Sequence, residues 1–280
     1  MDAPTKRVEI IPAKRRALIL EHLRINGAAS IQELAEAIGG SQSTIRRDLE
    51  QLMEGGYLER THGGALLVPP MQATFERESA LNAQLQRAQK IAIGMEAAQR
   101  LNTRESVIFE SSSTVMEAVR AAVMRDLTLT VVTNSLDIAL LAADVQNWRV
   151  IMPGGTIRSG GWRALTGEPG ESFFQTVHAD VCFTGAYAVT GNILTDAALE
   201  VASLKRAMVR SARRTIALID SSKFTAPAFS TFCDLSAIDE LITDDGIQSE
   251  HLASLHSFNV KVTVVPVRNA PDMPLKRHAG

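Results

Sequence analysis

The run Ser41-Gln42-Ser43-Thr44-Ile45-Arg46-Arg47 places two guanidinium groups and a cluster of hydroxyls on a segment with helical spacing. Ile45, Leu49, Leu52 and Met53 recur at i, i+4, i+7 and i+8, which makes one apolar stripe. At about 100° per residue, Ser43 and Arg47 point away from that stripe, and Thr44 and Arg46 lie on its flanks. Arginine can grip guanine O6 and N7 with two hydrogen bonds, and Ser or Thr can bond a base edge or a phosphate. The chemistry on offer is that of a helix in a DNA major groove, with Ser41, Gln42, Ser43, Thr44, Arg46 and Arg47 as candidate contacts. Asp48 lies near the apolar edge, where an internal salt bridge or hydrogen bond suits it better than a base.

A second set of residues suits an anion. Val107-Ile108-Phe109-Glu110 reads as a strand that feeds the hydroxyl-rich loop Ser111-Ser112-Ser113-Thr114, and a helix starts at about Val115. Backbone N–H groups at a helix N-terminus, helped by hydroxyls, make an anion site. The Gly-Lys pair of a Walker loop is missing. Asn134 follows the next strand, Gly154-Gly155 with Arg158 follow the one after, and Glu200 and Lys205 share a helix. Lys223 closes the run Asp220-Ser221-Ser222-Lys223-Phe224. Polar and cationic groups at successive strand ends could converge on a phosphorylated polyol. Each also has an ordinary reading: the loop as an N-cap, Asn134 as a turn former, the glycines as a hairpin, the lysines as solvated surface.

The elements that must position these groups are legible in the periodicity. Lys14 to Asn26 reads as a first helix, and Ser30-Ile31-Gln32-Glu33 has capping-box form for a second. Gly39-Gly40 breaks that helix before Ser41 caps the third, which Gly55-Gly56 ends. Tyr57 to Arg60 begins an extended segment, and Gly63-Gly64 is the expected wing turn, so Arg60 and His62 join the candidate DNA contacts. Arg15, at the opening of helix one, is the expected phosphate contact. Helix, helix, turn, helix, wing is a winged helix-turn-helix, and a winged helix used only for protein contacts is the alternative.

From Glu105 onward β-rich runs alternate with helical ones. The expected strands are Val107–Phe109, Leu127–Thr133, Arg149–Met152, Val181–Thr184, Thr215–Ile219, Glu240–Thr243 and Val260–Val265. The expected helices between them include Val115–Val123, Leu136–Ala143, Leu199–Arg213 and Ser249–Leu255. The pattern predicts an α/β domain on a mostly parallel sheet, with ligands beyond the carboxyl ends of the strands. The expected layout is a winged helix-turn-helix over 1–68, a linker and connecting helix over 69–103, an effector domain over 104–268 and a disordered tail over 269–280. The connecting helix, Ser79 to Leu101, carries Leu81, Leu85, Ala88, Ile91, Ala92, Met95, Ala98 and Leu101 on one side.

Bulk properties bound the rest. The 280 residues suit one small and one larger domain, and a 45% apolar fraction supports real cores. No apolar run is long enough to span a membrane. The first residues lack a hydrophobic signal region, and Cys182 and Cys233 are too few for a disulfide framework or a zinc site, so the expected compartment is the cytoplasm. Net charge is −2, and in the first 70 residues nine basic side chains face nine acidic ones. Non-specific DNA affinity is therefore expected to be modest, with specificity left to base contacts and dimer geometry.

At Glu33-Leu34-Ala35, Ser43-Thr44-Ile45-Arg46-Arg47-Asp48-Leu49 and His62-Gly63-Gly64-Ala65 the chain resembles the DeoR family of bacterial transcription regulators. Thr133-Asn134, Gly154-Gly155-Thr156-Ile157-Arg158, Gly167-Glu168, Glu200, Lys205-Arg206 and Asp220-Ser222-Lys223-Phe224 match in order, so the resemblance runs from about Arg15 to Asp245. It implies an effector domain with a ribose-5-phosphate isomerase-like fold. The Glu110–Thr114 loop stands where the family has Asp-x-Gly-Thr-Thr, with Glu110 for the aspartate and Ser112 for the glycine.

The resemblance implies a regulator, expected to be a repressor of a carbohydrate operon released from operator DNA by a phosphorylated sugar or polyol. It would work as a homo-oligomer, dimer or tetramer, meeting half-sites about 34 Å apart. No catalytic residue, metal site or cofactor is expected. The competing class is a sugar-phosphate isomerase, which needs a carboxylate base. Related isomerases carry an Asp-Gly-Ala-Asp-Glu run where this chain has Thr184-Gly185-Ala186-Tyr187-Ala188, without the carboxylates, and Glu200 is better read as a sugar hydroxyl acceptor. Trp162 could stack on a sugar or simply pack.

Overall fold

The computed structural model describes residues 12–26, 28–54, 58–61, 64–67, 85–158, 163–258 and 260–267. They fall into two compact units that part after Leu85. The first holds α1 (Pro12–Asn26), β1 (Ala28–Ser30), α2 (Ile31–Ile38), α3 (Gln42–Glu54), β2 (Leu58–Thr61) and β3 (Gly64–Leu67). Its core is the stripe anticipated from spacing: Ile45, Leu49 and Leu52 of α3 are buried with Ile19 and Leu23 of α1 and Leu34 of α2. Both arms of the capping box form, Glu33 N–H to Ser30 Oγ at 3.2 Å and Ser30 N–H to the Glu33 carboxylate at 2.7 Å. The Ser30 backbone N–H and hydroxyl hold the Glu33 carboxyl below its ordinary range. Gly39, at φ +79°, ends α2 in the left-handed conformation that favours glycine.

The strands of this unit run β1-β3-β2, antiparallel throughout. Gly64 opens β3, opposite Ser30 and Thr61. A Cβ there would lie 2.3 Å from the Ala29 carbonyl oxygen, so the close approach of β1 selects glycine. Gly55, Gly56, Tyr57, His62 and Gly63 lie outside the described residues.

In chain order the second unit comprises α4 (Arg87–Ala98), β4 (Ser106–Phe109), α5 (Ser113–Val123), β5 (Leu129–Thr133), α6 (Leu136–Ala143) and β6 (Trp148–Ile151). There follow β7 (Thr156–Arg158), β8 (Ala164–Thr166), α7 (Gly170–Phe174), β9 (Val181–Thr184), β10 (Ala188–Thr190), β11 (Ile193–Asp196) and α8 (Leu199–Arg210). The unit ends with β12 (Thr215–Leu218), β13 (Ser230–Asp234), β14 (Glu240–Asp244), α9 (Ser249–Ser257) and β15 (Lys261–Val265). Seven strands form one sheet in the order β15-β14-β12-β9-β4-β5-β6, and every pair is parallel.

These are the seven strands anticipated from sequence. Central members such as Val181-Cys182-Phe183-Thr184 are buried along their whole length, which is why they read as continuous apolar runs. The order reverses between β4 and β9, with β5 and β6 to one side and β12, β14 and β15 to the other, and such a reversal opens a crevice at the carboxyl ends. The short antiparallel elements, the β7-β8 hairpin and the β10-β11-β13 sheet, were not anticipated.

Helix α4 belongs to this unit rather than to a free connection. A Cβ on Gly94 would sit 2.5 Å from the carbonyl carbon of Glu117, so α4 and α5 touch backbone to backbone. Ile93, Ala97 and Leu101 enter the core with Phe109 and Val119, whereas Met95, expected on the apolar side, is 56% exposed. The close crossing at Gly94 turns the helix so that Met95 faces outward. The expected positions before Leu85, and the tail over 269–280, lie outside the described residues. Among the described residues no helix is long and apolar enough to cross a membrane.

At the amino-terminal edge of the sheet the Arg100 guanidinium bonds both oxygens of the buried Glu240, at 2.8 to 3.1 Å. Burial pushes the Glu240 carboxyl up, but bonds from Arg100, Thr263 and Lys261 outweigh it and hold the group at about 2. A carboxyl lowered on folding contributes stability above its unfolded value and loses it as the pH falls. Urea denaturation should therefore show wild type more stable than Glu240→Gln at neutral pH, with the gap closing as the pH drops from about 4.5 toward 2.

Candidate functional site

Under the crevice lies a buried ion cluster. Glu110, directly after β4, accepts a hydrogen bond at Oε2 from the N–H of Gly185, directly after β9, at 3.1 Å. Lys205 of α8 donates to Asp196 at 2.8 Å and to the Gly185 carbonyl at 3.2 Å, and its Nζ lies 3.6 Å from Glu110. Glu110 is 3% exposed, and Lys205 and Asp196 are 5% exposed. Burial alone would lower the Lys205 ammonium, but Asp196 and then Glu110 outweigh it and hold the group above its ordinary value. Lys205 thus corrects an expectation: it is not a cation waiting for phosphate, because it points inward and neutralises two carboxylates. Its companions Asp196 and Gly185 were missed, since Asp196 lies in a short strand with no motif and only the fold brings it to the cluster.

The hydroxyl loop sits directly above. Ser111 donates to Glu110 Oε1 at 3.2 Å and accepts from Asn134 Nδ2 at 3.3 Å. Asn134 also donates to the Leu165 carbonyl at 3.1 Å, which ties the loop after β5 to strand β8. Ser112 caps α5 by accepting from the Val115 N–H at 3.2 Å, and Ser113 and Thr114 form the first helical turn. A Cβ on Gly185 would lie 2.6 Å from Ser112 Oγ, so a serine at 112 requires a glycine at 185.

The other anticipated residues flank this centre. Gly154 (φ +82°) and Gly155 (φ +125°) follow β6, and a Cβ on Gly155 would lie 2.7 Å from the Thr166 carbonyl oxygen. They let the chain turn tightly into the β7-β8 hairpin, whose Arg158 is half-buried. Beyond β12, Asp220 caps the turn Ser221–Lys223, and the Lys223 ammonium stands 5.8 Å from the centre of the Tyr187 ring. Asp244, not anticipated, fixes that turn: it accepts from the Ser221 N–H at 2.7 Å, the Ser221 hydroxyl at 2.8 Å and the Gly246 N–H at 3.0 Å. Glu200 is exposed in the first turn of α8 and belongs to no contact that joins it to the cluster. Buried oxygens without a hydrogen-bond partner include Asn134 Oδ1, Asp220 Oδ2 and Thr243 Oγ1, each at a carboxyl end of the sheet. Trp162 lies outside the described residues.

In the first unit, α3 presents Gln42, Ser43, Arg46 and Arg47 as exposed side chains opposite its buried stripe. Ser41 accepts from the Thr44 N–H at 3.2 Å and is bonded to the hydroxyls of Ser43 and Thr44, both at 2.8 Å, so it caps the helix. Asp48 is 3% exposed and bonds Arg15 Nε at 2.5 Å, with Arg16 at 3.6 Å. The internal salt bridge expected of Asp48 is present. Arg15 is its partner, which corrects the expectation of an open phosphate contact: the guanidinium ties α1 to α3. Arg60 lies on β2, and His62 is outside the described residues.

A DeoR-like helix-turn-helix domain model matches residues 15–70, and a DeoR C terminal sensor domain model matches residues 85–245. The chain belongs to the DeoR family. This DeoR-family chain is 32% identical to the HTH-type transcriptional regulator GlpR of Haloferax volcanii, over 90% of its own length and 98% of that protein. It is 31% identical to a putative aga operon transcriptional repressor of Escherichia coli O157:H7, over 90% and 94% of the two chains. An L-fucose operon activator of Haemophilus influenzae is 33% identical over 82% and 91%. Among solved structures, ribose 5 phosphate isomerase A from Neisseria gonorrhoeae aligns with a TM-score of 0.37 at 14% identity, over 50% of this chain and 53% of that one. The DeoR-family chain is therefore a DNA-binding transcriptional regulator.

The ion cluster makes a stability prediction. Lys205→Met keeps the volume but leaves Glu110 and Asp196 buried without their cation, so the variant should lose about 3–5 kcal/mol in urea denaturation. A loss below about 1 kcal/mol would mean that the ammonium is not what holds the crevice together.

Proposed function

We propose that this regulator is a repressor of a carbohydrate-catabolism operon that leaves its operator when a phosphorylated sugar or polyol binds the crevice between β4 and β9. The observation that carries the reading is the pairing of two features in one DeoR-family chain. One is an exposed Arg46-Arg47 face on α3; the other is a helix N-terminus with a hydroxyl loop at the switch point of a parallel sheet. A phosphate at that point meets backbone N–H groups and the positive end of α5. Lys223 supplies a cation at the neighbouring strand end, and Arg158 a second from the β7-β8 hairpin. The relatives' names include a repressor and an activator, and the assignment as repressor is ours.

Arg46 and Arg47 read base edges, and Gln42, Ser43, Thr44 and the wing residues Arg60 and His62 hold the duplex. A homo-oligomer follows from half-site geometry: two such helices spaced about 34 Å apart meet successive major grooves. The isomerase reading fares worse. Glu110 and Asp196 are tied to Lys205 and to backbone N–H groups and are not placed to take a proton from a sugar carbon. Glu200 is exposed.

Two outcomes test the proposal. Arg47→Ala should weaken operator binding by about 1–3 kcal/mol and relax preference at one base position, read by fluorescence anisotropy on a set of singly substituted operators. An unchanged affinity and preference would remove the recognition role from this residue. A phosphorylated effector at about 100 times its dissociation constant should add about 2.7 kcal/mol of stability, which a thermal-shift screen of sugar and polyol phosphates detects. The dephosphorylated compound should do much less. Lys223→Ala should blunt the shift and leave operator binding without effector intact. Equal shifts from a sugar and its phosphate would defeat the anion site.

A further inference from the structure

Asn134 is 3% exposed, and the hydrogen bonds of its side-chain amide run in one direction only. Both of its N–H donors are used, on the Leu165 carbonyl at 3.1 Å and on Ser111 Oγ at 3.3 Å. The Leu165 carbonyl can only accept, so the amide nitrogen faces it and the orientation is fixed. Ser111 can accept from Asn134 because its own proton goes to the Glu110 carboxylate at 3.2 Å. Glu110 in turn stays an acceptor beside Lys205 and under the Gly185 N–H. The polarity Asn134 to Ser111 to Glu110 is thus imposed from the buried cluster upward.

Acceptor capacity is left over at this strand end. Asn134 Oδ1 has no hydrogen-bond partner, and Ser111 no longer has a proton to give to a phosphate. Two residues beyond Ser111 the opposite polarity begins. The N–H groups of Ser113 and Thr114, at the first positions of α5, have no carbonyl one turn earlier to bond. An anion fits those donors, but the phosphate of a doubly ionised monoester cannot satisfy Asn134 Oδ1, because it too only accepts. A ligand with a donor beside its phosphate would meet the amide oxygen that the protein otherwise leaves unpaired, and would bind more tightly for it.

We infer that Asn134 is a specificity-determining residue that accepts a hydrogen bond from a hydroxyl on the carbon next to the phosphate-bearing carbon. The inference rests on the proposed effector role of the crevice and narrows it to 2-hydroxyalkyl phosphates. Open-chain polyol phosphates and sugar 1-phosphates with a free 2-hydroxyl belong to that class. Hexopyranose 6-phosphates and pentofuranose 5-phosphates do not, because the neighbouring carbon carries the ring oxygen.

The test uses the full chain and three small probes free of stereochemistry: inorganic phosphate, ethyl phosphate and 2-hydroxyethyl phosphate, titrated by ligand-observed NMR. The hydroxyl ester should bind about tenfold or more tightly than ethyl phosphate. In Asn134→Ala that preference should fall to within about twofold. Equal affinity of the two esters for the wild-type chain, or a preference that survives in Asn134→Ala, overturns the inference and leaves the phosphate reading standing. Absence of binding by all three probes overturns the phosphate reading and the inference with it. Should Asn134→Ala fail to give a cooperative melt, the comparison of the two esters on the wild-type chain decides alone.

Discussion

The Lys205 ammonium held between Asp196 and Glu110 is the contact on which the sensor unit turns. It joins four separate pieces of chain at one point: the end of β4, the end of β9 through the Gly185 carbonyl, the end of β11 and the middle of α8. A lysine buried this deeply is normally a liability, since desolvation disfavours its charge. Two carboxylates reverse that, and each is in turn bound to backbone N–H groups, Glu110 by Gly185 and Asp196 by Ala197. The cluster fixes Glu110 as an acceptor, Glu110 fixes the Ser111 proton, and Ser111 fixes Asn134. The polarity of the loop where a ligand would sit is therefore decided beneath it.

The departures from the family loop fit this arrangement. Ser112 supplies a side-chain cap to α5 that a glycine could not, and its bulk is accommodated because Gly185 across the crevice has no Cβ. On the other side, Asp244 does for Ser221 what the cluster does for Ser111, holding a second strand-end turn with two hydrogen bonds. The two turns differ in what they leave over. The first leaves the buried amide oxygen of Asn134; the second leaves a buried carboxylate oxygen of Asp220, at the start of a turn that ends in Lys223.

The helix-turn-helix unit depends on a smaller version of the same device. Asp48 sits on the buried side of α3 and is neutralised by Arg15 and Arg16 from α1, which locks the two helices in register. The consequence is that the outer face of α3 keeps its own arginines, Arg46 and Arg47, exposed. Two adjacent kinds of arginine thus do different work. Those on α1 hold the scaffold, and those on α3 point away from it.

The sequence by itself determined the parts of this protein that follow from local periodicity. The stripe Ile45, Leu49, Leu52, the capping box Ser30–Glu33 and the seven apolar runs of the parallel sheet need no distant residue to be recognised, because a buried face or a buried strand imposes its own pattern on the chain. Position along the strands also marked Ser111–Thr114, Asn134 and Lys223 as lying at carboxyl ends. Only the tertiary structure decided which charges are free. Arg15 and Lys205 look alike in sequence to solvated charges, and their pairing depends on residues 9 to 95 positions away, as with Lys205 and Asp196 or Lys205 and Glu110. Short antiparallel strands such as β10 and β11 were hidden for the same reason: three or four residues carry too little pattern, and their stability comes from what they pack against. Hydrophobic burial repeats along a chain and can be read there, whereas the pairing of a buried charge is a property of two places at once.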